Sequence, residues 1–359
     1  MADSDPAPAR LSWPALALAV FWAVVLGAVG LTFVVLALLG APPLPTSAPS
    51  AAAHLAAGAA GESDNAAATT ASSARARVPG VAITAPDATL AESAPDYPGA
   101  LLPRIGPDGQ APRILYAGGT DPNDRRPRIG LILSGIGLSA AESTAAIDDL
   151  PAAVTLAFSP YAADPTPLLA AARARGHEIL LSLPLEPQNY PLNDAGPETL
   201  LTGAPAAENA RRLEWALSRI TGYAGTTGAL DGLHGERFAA QSVNFSLLQR
   251  DLARRGLFYI DPRPGAPAPA DIPGRAVDLI VDSAPSEAAI SAALDQLAER
   301  ALAHGSALGL ADLPRPVTVA RIAAWAGTLA THGLALVPAS ALIVVPPAAA
   351  KPETPNHGE

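Results

Sequence analysis

The chain has 359 residues with no cysteine, one methionine, 30 glycines and 38 prolines, and its formal net charge at pH 7 is -10. An acidic balance without a block of Lys or Arg lacks the electrostatic footprint of a nucleic-acid binder, so nucleic acid is not an expected partner. Absence of cysteine excludes disulfides, thiolate metal sites and a cysteine nucleophile, and fits any compartment.

Residues 13–39, "WPALALAVFWAVVLGAVGLTFVVLALL", carry no charge. At a rise of roughly 1.5 Å per residue this run exceeds the roughly 30 Å hydrocarbon core of a bilayer. A secretory signal has only about 7 to 15 apolar residues, so the run is expected to be an uncleaved transmembrane helix. Arg10 is the only basic residue before it and none follows until Arg75. This places residues 1–12 in the cytoplasm and the remainder across the inner membrane, facing the periplasm or exterior. Residues 40–95, rich in Ala, Pro, Ser and Thr, hold too little apolar surface to offset ordering entropy and are expected to form a disordered linker. From Tyr97 to Arg128 turn signals mix with Leu101, Leu102, Ile105, Ile114 and Tyr116, which reads as an extended arm against the domain that follows.

From Ile129 short β-rich runs alternate with helical patterns. The expected strands are 129–133, 153–158, 177–183, 257–261, 277–282, 306–310 and 334–338, with a weaker one at 223–227. Amphipathic segments such as "PLLAAARARG" and "ENARRLEWALSRI" separate them, and several end in glycine, the usual left-handed cap. Seven or eight such units predict an α/β domain over residues 96–345, either a closed (β/α) barrel or a doubly wound sheet. The tail, 346–359, is expected to be disordered.

The stretch "RIGLILSGIGLSAAE", 128–142, matches G-x-G-x-x-A through Gly135, Gly137 and Ala140. A dinucleotide site also needs an acidic residue closing the next strand, and "LAFSPYA" has none; Asp148 and Asp149 precede that strand. Ser134 lacks the flanking glycines of a nucleophile elbow. Both readings are therefore set aside.

"RIGLILSGIGLS", "LPAAVTLAFSPYA", "ARARGHEILLSLPLEPQNYPLNDAGPETLLT", "NARRLEWALSRITGYAG", "GERF" and "RRGLFYIDPR" occur in an order and spacing that resembles the divergent polysaccharide deacetylase family. The resemblance covers roughly residues 100–342 and implies a distorted (β/α) barrel, related to enzymes acting on N-acetylated glycans. Active members of that superfamily hold a divalent metal with an aspartate and two histidines, and use it to activate water against an acetamide. Where the family has a pair of aspartates this chain has Ser134 and Gly135, and where its third strand carries a histidine it has Ser182. A further family histidine falls at Leu233, one place from His234, and another at Leu313. A divalent metal such as zinc is therefore not expected to bind tightly, and no metal ligand set is assigned.

Position disposes of most of the six histidines. His54 and His357 lie in the linker and tail, His304 and His332 precede glycines at helix ends, and His177 opens a strand away from the expected site. His234, Asp261 and Asp282 remain as catalytic candidates, with Asp231, Glu236 and Asp312 as neighbours of the same loops. Glu186, Tyr190, Arg237 and Arg263 match the family and are candidates for substrate binding. Two functions stay open: a hydrolase acting on a cell-envelope glycan through a rearranged site, and a non-catalytic barrel binding glycan or an envelope protein. Either would be held to the inner membrane by the N-terminal helix.

Overall fold

A computed structural model of the protein describes residues 80–346. The expected membrane helix, residues 40–79 of the expected linker and the tail from 347 lie outside them. Among the described residues no helix is long and apolar enough to cross a membrane.

Folding begins earlier than composition suggests. Asp87 accepts from the Thr89 N–H to cap a 3-10 turn at Ala88–Leu90, and strands β1 (Ala91–Ser93) and β2 (Leu101–Pro103) pair antiparallel. A one-turn helix, α1 (Pro112–Leu115), follows. Ile83 and Leu90 are buried, and the Ile83 N–H donates to the Arg173 carbonyl. Residues 80–93 therefore belong to the folded domain and not to the linker. Two buried apolar side chains and the hydrogen bonds from Ile83 to Arg173 and from Asp87 to Tyr116 dock them, and the surrounding Ala and Pro hide those two side chains from any windowed average.

The chain then runs through β3 (Arg128–Ile136), α2 (Ala140–Asp149), β4 (Thr155–Phe158), α3 (Thr166–Arg175), β5 (Ile179–Ser182), α4 (Ala206–Leu217) and β6 (Gly225–Thr227). It continues through α5 (Glu236–Ala239), α6 (Ser242–Arg254), β7 (Phe258–Asp261), β8 (Gly274–Ala276) and β9 (Leu279–Ile280). The last elements are α7 (Glu287–His304), β10 (Ser306–Ala311), α8 (Pro316–Ala326) and β11 (Ala335–Val337). Ser139 starts α2 by accepting from the Glu142 N–H, the S-x-x-E arrangement visible in "LSAAE".

The strands are parallel in the order β8-β7-β6-β5-β4-β3-β10-β9, with β11 added along the first residues of β3. The result is an α/β fold whose curled sheet forms a half-barrel, consistent with the expected distorted barrel. Its two edges, β8 and β9, are separated by Val277 and Asp278 alone. The Val277 N–H donates to Asp261 on one side and the Asp278 N–H to Leu308 on the other. One run of chain thus reaches both edges.

Period-two alternation divides the core into two layers. Ile129, Leu131, Leu133, Leu156, Phe158, Ile179 and Leu181 turn outward to meet helix residues such as Ile147, Leu169 and Leu217. Ile132, Ala157, Leu180, Phe258, Ile260, Leu308 and Leu310 turn inward. At the base, where the strands begin, Glu178 is also inward and completely buried. It accepts from the Gly118 N–H at 3.0 Å, the Ser340 N–H at 3.0 Å and the Thr155 hydroxyl at 3.2 Å. The Thr155 oxygen in turn accepts from the Ala339 N–H at 2.9 Å. Arm and C-terminal segment are thereby fastened to one carboxylate.

Candidate functional site

The positions marked by the resemblance lie at the other end, where the strands finish. Ser134 follows Ile132 on the inward row of β3, is fully buried and donates to the Ala229 carbonyl at 3.1 Å. Gly135 has φ +75°, and a Cβ there would lie 2.9 Å from Leu313 Cδ2, 3.1 Å from Pro314 Cδ and 3.2 Å from the Asp312 carbonyl oxygen. Leu313, at one expected histidine position, therefore packs against the residue at an expected aspartate position. Ser182 stands beside Thr227 in the next strand, fully buried, and its hydroxyl has no hydrogen-bond partner.

These residues do not fit a divalent metal. A neutral hydroxyl is a weak ligand for a hard dication, and glycine and leucine supply none. Among the described residues no group of three or more His, Asp or Glu is placed to hold a metal ion. Calorimetric titration with Zn²⁺ should accordingly give no stoichiometric, tight binding, since catalytic zinc needs three protein ligands. Stoichiometric sub-micromolar binding lost in His234→Ala would overturn this. Installing Asp at Gly135 should destabilise the domain, because the left-handed backbone and the Leu313 contact both oppose a side chain there.

His234 reaches the mouth despite its shifted register. Its Nε2 lies 2.9 Å from Asp312 Oδ1 and its Nδ1 3.5 Å from Glu236 Oε1. Desolvation pulls the imidazole pKa down, but the hydrogen bonds and charges of Asp312 and Glu236 outweigh it and push the ring up to about 9. Glu236 is held down to about 2, chiefly by its hydrogen bond from His234. At neutral pH His234 is therefore an imidazolium whose two nitrogens are both N–H donors, with no lone pair for a metal. Glu236 also accepts from the Gln188 N–H at 3.0 Å. The cluster joins the loops after β5, β6 and β10.

The other catalytic candidates do not contact His234: Asp261 is paired elsewhere, and Asp282 meets the cluster only through the backbone N–H of Asp312. Asp261 is buried and takes Arg263 Nε at 2.9 Å and Nη2 at 2.6 Å, an ion pair within one loop. Asp282 accepts from the Asp312 N–H at 2.8 Å and the Leu313 N–H at 3.3 Å, which shapes the turn into α8. Burial raises its carboxyl pKa. Asp231 sits exposed in an Asp231-Gly232 turn with φ +52° and +75°, flanked by paired Leu230 and Leu233, and does not reach His234. His177 is buried at the base, its ring nitrogens 2.9 Å from the Val154 carbonyl and 3.2 Å from that of Ile147.

Three substrate-binding candidates do converge. Glu186, Tyr190 and Arg237 line one groove of about 520 Å³, together with Pro191 and the Leu201–Ala204 wall. Glu186 is 3 % exposed; it accepts from the Thr202 N–H and holds Arg237 Nε at 3.0 Å. Arg237 Nη1 donates to the Tyr190 carbonyl at 3.3 Å, and the Arg237 side chain stays half exposed. Arg263, the fourth candidate, is not in this groove. The Leu201–Ala204 wall escaped the sequence reading because its contribution is backbone and shape, which leave no signature in side-chain type.

The sequence signature of a family described as divergent polysaccharide deacetylase matches residues 131–343. Among solved structures, an uncharacterized protein from Agrobacterium tumefaciens C58 is similar at 35 % identity and a TM-score of 0.63. The match covers 68 % of this chain and 99 % of that one. No curated protein matches.

Proposed function

Because the chain belongs to the divergent polysaccharide deacetylase family, we propose that it has a carbohydrate-related role, and that it binds a cell-envelope glycan without hydrolysing it at a metal centre. The observation that carries this reading is the convergence of Glu186, Tyr190 and Arg237 on one groove, while Ser134, Gly135 and Ser182 are buried away from solvent. An aromatic ring, a half-exposed guanidinium and an apolar wall are what a sugar ring needs: a face to stack on and donors for its hydroxyls. In this reading residues 13–39 anchor the protein in the inner membrane and the domain works on its outer side.

Binding of soluble N-acetylated oligosaccharides and solubilised peptidoglycan strands, followed by calorimetry, tests the proposal. Arg237→Ala and Tyr190→Ala should each weaken binding about tenfold, the usual cost of truncating a central contact. Acetate release that depends on added Zn²⁺ would instead restore the hydrolase reading. Binding indifferent to both substitutions would remove the groove from it.

A further inference from the structure

The family residue left out of the first groove, Arg263, lines a second one. This groove, about 570 Å³, lies between α6 and the loop Pro267–Asp271 and includes Phe245, Ser246 and Arg250. Both grooves fall within the roughly 300–1,000 Å³ typical of ligand sites. They share α5 as a wall: Arg237 faces the first and Ala239 the second. The five Cα–Cα steps from Arg237 to Ser242 span at most about 18 Å even when extended, so the two grooves are near neighbours.

Their chemistry is also alike. Each holds an aromatic ring beside an arginine: Tyr190 with Arg237, and Phe245 with Arg263, whose guanidinium carbon is 5.6 Å from the Phe245 ring centre. Each arginine is matched by a carboxylate. Arg237 pairs with Glu186, Arg263 with Asp261 and Arg250 with Asp271 at 3.8 Å. The two grooves therefore offer donors and apolar faces without net charge. Resting on the glycan-binding reading above, we propose that they are two subsites of one track, which crosses α5 and takes an uncharged linear oligosaccharide longer than either groove alone.

The test compares chito-oligosaccharides of two to six units on the full-length protein, with Val243→Asp as the second-groove variant. Val243 lines that groove and is 71 % exposed, so the substitution leaves the fold intact. Affinity should rise at least tenfold from dimer to hexamer. Val243→Asp should remove most of that gain without affecting the dimer, whereas Arg237→Ala should weaken both. Equal affinity for dimer and hexamer, or a hexamer unaffected by Val243→Asp, would overturn the track and leave the first groove standing. Tighter binding of polygalacturonate than of chito-hexaose would overturn the uncharged class. Absence of binding to every oligosaccharide would overturn the functional reading and the track with it.

Discussion

Replacing Glu178 with alanine should cost the domain about 3–5 kcal/mol, since it empties a fully buried side-chain site, removes the buried partner of Thr155 and leaves the part-buried Gly118 and Ser340 N–H groups without theirs, at roughly 1–3 kcal/mol per unsatisfied group. At about 2–4 °C per kcal/mol for domains of 150–250 residues, thermal unfolding should move down by roughly 10 °C. Glu178→Gln should fall between variant and parent, because its amide NH₂ must face one of the two N–H donors. No Lys, Arg or His pairs with Glu178 among the described residues, and burial pushes its carboxyl pKa up against the lowering effect of these hydrogen bonds. The carboxylate is thus held by oriented N–H and O–H dipoles alone. A melting temperature for Glu178→Ala within about 2 °C of the parent would show that the arm and C-terminal segment are fastened elsewhere.

Raising the pH through 9 should loosen the mouth. His234 titrates at about 9 in the folded chain against an ordinary 6.5, so its contribution is complete below pH 6.5 and is lost as pH climbs through 9. At 1.36 kcal/mol per pKa unit that difference corresponds to at most about 3 kcal/mol. On the acid side Glu236, held at about 2, keeps its half of the clasp until pH falls below 4.5 towards 2. Urea midpoints measured from pH 6 to 10 should therefore decline more steeply for the parent than for His234→Ala, the two curves converging near pH 10. Parallel curves would mean that the imidazolium does not hold the three loops together.

Regular alternation made most of the barrel legible in advance. "IGLIL", "HEILLSL" and "SALGL" carry enough apolar residues on each face to be strands, and they are. The segment Gly274–Ile280 was not legible in the same way. Its edge role depends on which neighbours it meets, and "GRAVDLI" shows only its second half as β-rich. Residues 80–93 were missed because Ile83 and Leu90 are isolated in a bland composition. At the mouth, residue types from the family motifs located the groove at Glu186, Tyr190 and Arg237. Spacing could not show that His234 would find Asp312, 78 residues away, that Asp261 would be occupied by Arg263 of its own loop, or that Asp282 would be occupied by the backbone of the loop after β10. Pairing among charged side chains is settled by the fold, after sequence position has lost its meaning.

Both described ends of the chain meet the barrel at its base. Gly80 and Val81 pass close to Gly176, just before β5, and Val344 pairs with Gly274 at the start of β8. Every loop at the mouth is therefore interior to the chain, and none carries a terminus or the Glu178 fastening. Such a layout separates two tasks: the contacts that fasten the chain's described ends lie at the base, and the loops that line the grooves lie at the other end.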